Sequence, residues 1–172
     1  NHKFEEIQYL FWRNSNLNFN NPLSLIKSLD EKPKKNWLRK IHECEDEKAL
    51  KFFLRSKNLE NIEFNKNKLT LLWECCQIPD FVKKTYGNHY EVIGNVFKYL
   101  NSEKGKISDD YMRLQLMKLD KLEGNVDSLS NRIANVRTWS YVSNKNNWVE
   151  NQNYWIEKTK LLEDKLSDRL HE

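Results

Sequence analysis

The sequence predicts an all-α fold: a multi-helix array of mostly antiparallel helices, with a less regular N-terminal lobe. Three observations predict it. Glycine and proline are scarce, four and three among 172 residues, whereas a β-sandwich needs many turns built from them. Apolar residues recur every three or four positions through most of the second half, which is the period of one helix face. Six tryptophans, seven tyrosines and eight phenylalanines supply large buried area per residue, and that separates the chain from disordered ones.

The elements follow in order. HKFEEIQYLFWRN (2–14) carries Phe4, Ile7, Leu10 and Phe11 at helical spacing, over a short stretch. Residues 14–21 are polar and asparagine-rich, which reads as a loop. Asn21-Pro22 starts a helix, because asparagine caps and proline suits the first helical position; Leu23, Ile26, Leu29 and optionally Leu25 face inward. EKPKKN (31–36) is a charged connector broken by Pro33, and WLRKI after it reads as a short extended piece. Helical period resumes over 45–57 through Ala49, Leu50, Phe53 and Leu54. Residues 58–67 form a polar junction, which divides an irregular connecting lobe (1–64) from a helical bundle (65–172).

In the bundle, Leu69, Leu72, Trp73 and Cys76 make one helix face, and Pro79 terminates that helix. Tyr90, Ile93, Phe97 and Leu100 make the next. Ser108 caps a third, with Asp109 and Asp110 placed favourably in its first turn. Its stripe is Tyr111, Leu114 or Leu116, Met117 or Leu119, and Leu122, with Gly124 ending it. Asn125 or Asp127 caps a fourth, whose stripe is Leu129, Ile133, Val136 and Ser140. A fifth begins near Asn151, with Trp155, Thr159, Leu162 and Leu166 on one face and Leu170 beyond. Short links favour antiparallel neighbours.

The totals restrict function only loosely. Net charge is +4, spread evenly: twelve cations against ten anions up to residue 64, seventeen against fifteen after it. A nucleic-acid partner is allowed by this balance and not demanded. Cys44, Cys75 and Cys76 are odd in number and two are adjacent, which argues against a disulfide framework and for a reducing compartment. No apolar run approaches the roughly 18 residues of a membrane span. The chain opens on Asn1 without a signal peptide and stops inside a helical pattern at Glu172, so a piece of a longer protein is expected.

Catalytic patterns are missing from the sequence. A phosphate loop needs closely spaced glycines followed by Lys and Ser or Thr; Gly94 and Gly105-Lys106 are far apart, and Ile107 follows the lysine. His42-Glu43-Cys44 and Cys75-Cys76 offer metal-ligand types, but adjacent cysteines on a helix point about 100° apart. His2, His42, His89 and His171 are scattered. Asp109-Asp110 and Glu163-Asp164 are adjacent carboxylates explained by a helix dipole and a solvated face. No catalytic residue, metal site or cofactor is therefore assigned.

NRIANVRTWSYV (131–142) is the exception to this blandness. Arg132 and Trp139, seven apart, share one face; Arg137 and Tyr141 share another. Arginine grips phosphate with a rigid fork and aromatic rings stack on bases, so one face could touch RNA. Equally, Trp139 could pack while Arg132 or Arg137 pairs with an acid such as Asp127 or Glu163. Lys34-Lys35 and Lys83-Lys84, each beside a proline or in loop-like sequence, could meet a phosphate backbone.

LLWECCQIPDF (71–81), NRIANVRTWSYV (131–142) and LLEDKLSDRLHE (161–172) together resemble the region that follows the motor domains in bacterial relatives of the mitochondrial degradosome RNA helicase. FWRNSNLNF (11–19) resembles the segment opening that region, and Trp148 and Trp155 continue the pattern. The resemblance implies a non-catalytic C-terminal accessory module of a superfamily-two helicase. Two RecA-like motors would lie upstream in the same chain, holding ATP and magnesium. The module would pack on them and help form the path of a single strand of RNA or DNA, unwound with 3′-to-5′ polarity. It further implies a bacterial cytoplasmic location and opens the option of a nuclease partner. Ser140 and Ser143 depart from the pattern, and every ATPase motif is missing, so no catalytic residue carries over. Arg132, Arg137, Lys83 and Lys84 are then the candidate contacts to nucleic acid or motors, and Trp73, Pro79, Trp139 and Trp155 are structural. The competing expectation is a helical protein-interaction scaffold that never touches nucleic acid.

Overall fold

The computed structural model describes residues 9–82 and 86–172. The described residues form seven α-helices and two short strands, and the fold is mostly helical, as the residue patterns predict. The chain divides into two compact units, Asn1–Cys76 and Gln77–Glu172.

The first unit opens with strand β1 (Leu10–Trp12), helix α1 (Pro22–Leu29) and strand β2 (Leu38–Lys40). The strands pair in parallel, with Leu10 opposite Leu38, Phe11 opposite Arg39 and Trp12 opposite Lys40. Parallel strands need a crossover, and α1 lies within it. The helical spacing read at Leu10 and Phe11 is therefore corrected: these residues are extended, aromatic-rich and ladder-paired, which suits a strand. Phe4 and Ile7 lie outside the described residues. Within WLRKI, Leu38–Lys40 are extended as expected, whereas Trp37 lies in the turn before them. Asn21 caps α1 by accepting a hydrogen bond from Ser24 N at 2.8 Å. Leu25 and Leu29 are buried, while Leu23, expected inside, is 64% exposed.

Helix α2 (Glu45–Leu54) begins where Glu47 reaches back to accept from Cys44 N at 3.2 Å, one half of a capping box. Ala49, Leu50 and Phe53 are buried. Helix α3 (Lys66–Cys76) packs on α2 and buries Leu69, Leu72, Trp73, Cys75 and Cys76. Each such apolar side chain contributes about 1.5–3 kcal/mol by leaving water. Because α2 covers that face, α3 belongs with the first unit, so the units part at Cys76 instead of at residue 64. Pro79 sits just beyond α3, in non-helical backbone.

The second unit holds α4 (Tyr86–Leu100), α5 (Asp109–Leu119), α6 (Val126–Asn144) and α7 (Gln152–Leu170). Ile93, Val96, Phe97 and Leu100 form the buried face of α4. Ser108 caps α5, accepting from Tyr111 N at 3.2 Å. Asn125, and not Asp127, caps α6, accepting from Ser128 N at 2.8 Å. The α6 stripe is Leu129, Ile133, Val136, Trp139 and Val142, and the α7 stripe is Trp155, Thr159, Leu162 and Leu166.

Pairings give the directions of these helices. Arg137 meets Glu163 and Gln152 meets Lys145, so α6 and α7 are antiparallel. Tyr111 meets Trp139 and Lys121 meets Arg132, so the chain of α5 runs against α6. Asp109 meets Trp155 and Asp120 meets Lys165, so α5 and α7 run the same way. Between α6 and α7, Trp148 and Val149 are buried, and Ile107 N donates to Trp148 O at 2.8 Å.

The α5 stripe is corrected only in part, since Leu116, offered as the alternative to Leu114, is buried as expected. Met112 and Leu116 are its buried residues, whereas Leu114 is 50% and Met117 63% exposed. Helix α5 also stops at Leu119 with Asp120 as its cap, earlier than Gly124.

Candidate nucleic-acid interface

Arg132 and Arg137 leave the same helix toward different neighbours. The Arg132 guanidinium donates through Nη1 to Lys121 O at 2.7 Å and to Glu123 O at 2.5 Å. Both carbonyls belong to the link between α5 and α6, whose backbone turns at Gly124 with φ +121°. One guanidinium nitrogen thus ties down two carbonyls of that link. Arg137 donates from Nε to Glu163 Oε1 at 2.7 Å, the acid named from the sequence as its possible partner. Their side chains stay 56% and 29% exposed, so the bridge clamps the α6–α7 hairpin from its solvent side.

Trp139 packs in the interior, 4% exposed, with Tyr111 edge-on to it at 5.8 Å. Burial pushes the Tyr111 hydroxyl above its ordinary pKa, an effect partly offset by a hydrogen bond with Asn95. Trp155 is 2% exposed, and its Nε1 donates to Asp109 Oδ1 at 2.8 Å. Trp73, in the first unit, lies under the Arg13 guanidinium at 5.5 Å. Arg13 is held there by Asp46, 2.7 Å away, and that hydrogen bond raises its pKa. Lys83 and Lys84 lie outside the described residues.

Two surfaces escaped the sequence reading. In the second unit, α5 and α7 bound a groove of about 290 Å³ lined by Arg113, Met117, Tyr154, Lys158, Leu161 and Lys165, among others. Lys158 Nζ lies 5.5 Å from the Tyr154 ring, whereas Lys165 is paired with Asp120 and Arg113 with Asp110.

In the first unit, the β1–β2 ribbon and the turn leading into β2 expose aromatic and cationic side chains. Phe11 is 68% and Trp37 56% exposed. Arg39 lies opposite Phe11 in register, and its guanidinium covers the Tyr9 ring at 4.0 Å. Lys35 Nζ lies 5.1 Å from the Trp37 ring. A signal for this face was present in the sequence: Lys32, Lys34, Lys35, Arg39 and Lys40 fall in a stretch, 32–42, that holds no carboxylate. Only the strand pairing brings Tyr9 and Phe11 to it.

Among the described residues, no group of three His, Cys, Asp or Glu side chains could hold a metal ion, and no helix is long and apolar enough to cross a membrane. Comparison with family models, with curated proteins and with solved structures gave no match.

Proposed function

We propose that the chain is a non-catalytic accessory module of a bacterial cytoplasmic ATP-dependent helicase, packing on RecA-like motors and helping to form the path of a single strand. The observation that carries this reading is the assembly of its motif segments. NRIANVRTWSYV lies in α6 and LLEDKLSDRLHE lies almost wholly in α7, and their pattern residues meet: Trp139, Leu162 and Leu166 are buried and Arg137 bonds Glu163. Two of the four segments that carry the resemblance thus pack against each other. In this reading Arg132 and Arg137 shape the module, and strand contact falls to other cations. ATP and magnesium belong to the motors, since the sequence has no phosphate loop.

Affinity for single-stranded RNA or DNA, measured on the 172-residue chain and on its parent protein, tests the proposal. The parent binds more tightly, because the module alone presents only part of the channel, and binding weakens steeply with salt. A parent without ATP hydrolysis or strand binding would end this reading.

The α5–α7 groove favours a second reading, a helical scaffold that docks another protein, because Met117 and Leu161 are more than half exposed there. Partner binding insensitive to salt would support it.

A further inference from the structure

We infer that the Tyr9–Phe11–Trp37–Arg39 face of the β1–β2 ribbon is a stacking platform for single-stranded nucleic acid. It deepens the helicase reading by naming a strand-contacting surface, yet it needs no motor to be true.

The ribbon geometry builds the platform. Residues paired across a parallel ladder lie on the same side, and side chains alternate along each strand. Phe11 and Arg39 are such a pair, and the exposed Trp37 sits in the turn that leads directly into β2. Tyr9 joins them through its contact with Arg39. Aromatic rings cost solvation when left in water, so such rings gathered on one small ribbon mark a surface that meets something. His42 borders it, with ring centroids 6.5 Å from Phe11.

Charge selects the occupant. Arg39 has no carboxylate partner among the described residues. Its guanidinium is instead laid on Tyr9, which holds the plane still and leaves the N–H edge available to a phosphate. Lys34, Lys35 and Arg39 are exposed, and the carboxylate-free stretch 32–42 offers no anion to repel a phosphate chain. An apolar protein surface would gain nothing from those cations, and duplex DNA hides its base faces. Unpaired bases carrying phosphates satisfy rings and cations together.

The test uses the 172-residue chain with a short labelled oligouridylate, the matching oligothymidylate and a blunt duplex, followed by fluorescence anisotropy. Both single strands bind and the duplex binds less tightly. Phe11→Leu and Trp37→Leu keep apolar bulk but lose the π-face, and each weakens single-strand binding by about 5- to 100-fold. Phe11→Tyr and Trp37→Phe retain binding. Arg39→Ala reduces the slope of log affinity against log salt by about 0.7. Circular dichroism confirms that these exposed positions leave the fold intact. Unchanged single-strand affinity in the combined leucine variant overturns the inference, as does equal affinity for the duplex. Salt-independent self-association abolished by the leucine changes, without oligonucleotide binding, also overturns it. If the platform binds while the parent hydrolyses no ATP, the helicase reading fails and the platform stands.

Discussion

Trp155 Nε1 donates to Asp109 Oδ1 across 2.8 Å, joining the first turn of α7 to the first turn of α5. Asp109 was expected only to favour the α5 dipole; it also accepts from Asn151 through its second oxygen. One carboxylate therefore serves two helix starts. Trp155→Phe removes the donor while keeping most of the ring, and should cost about 1–3 kcal/mol in urea denaturation. Asp109→Asn, which keeps an acceptor, should cost less. Equal losses in the two variants would mean that the negative charge of Asp109 matters as much as the indole hydrogen bond in holding these helix starts together.

Arg132 and Gly124 make a second prediction. A Cβ on Gly124 would lie 3.1 Å from Ser128 Cβ and 3.2 Å from Arg132 Nη2, at a φ of +121° that other residues rarely adopt. Gly124→Ala should destabilise by about 1–3 kcal/mol. Arg132→Lys should lose about as much stability as Arg132→Ala, because an ammonium on a flexible, shorter stem is not held in the plane that lets Nη1 reach both carbonyls. Full rescue by lysine, read from denaturation midpoints, would count against that geometry.

The Arg137–Glu163 bridge should matter much less. Its partners are 56% and 29% exposed, so water and salt screen it. A double-mutant cycle should return a coupling of about 0.2–1 kcal/mol, falling as salt rises. A coupling of several kcal/mol would mark the bridge as something other than a surface clamp.

Alkaline conditions should weaken the fold. Burial raises the Cys76 thiol above its ordinary 9.0 and the Tyr111 hydroxyl above its ordinary 10.0. Both groups ionise more readily in the unfolded chain. Their contribution is therefore complete below those ordinary values and is lost as pH rises toward the folded values. Urea midpoints should fall between about pH 8 and about pH 10.5, and Cys76→Ala should flatten that fall. A midpoint that climbs with pH would contradict this. Cys44, only partly covered, should react with a thiol reagent before the buried Cys75 and Cys76.

Helix α7 was the most legible part of the chain. Trp155, Thr159, Leu162 and Leu166 all lie inside, because this helix turns one narrow stripe toward its neighbours and periodicity reads such stripes well. Helix α5 misled because it carries apolar residues all round: Leu114 and Met117 line no core, while Met112 and Leu116 do. Strand β1 is three residues long, too short for any period, and its partner arrives only after a crossover. That long-range pairing is what assembles Tyr9, Phe11, Trp37 and Arg39, so the ribbon face could not be seen from local pattern. Glu163 could be named as a partner for Arg137 because both are charged side chains on neighbouring helices. The Arg132 contacts could not, since their acceptors are backbone carbonyls whose positions depend on a turn.

Coupled ATP hydrolysis and strand unwinding by the parent protein, compared with and without these 172 residues, tests the accessory-module account most directly. The account predicts that removing them leaves ATP hydrolysis measurable but sharply reduces single-strand affinity and unwinding. Unwinding that survives the deletion unchanged, or a parent that hydrolyses no ATP, would contradict it.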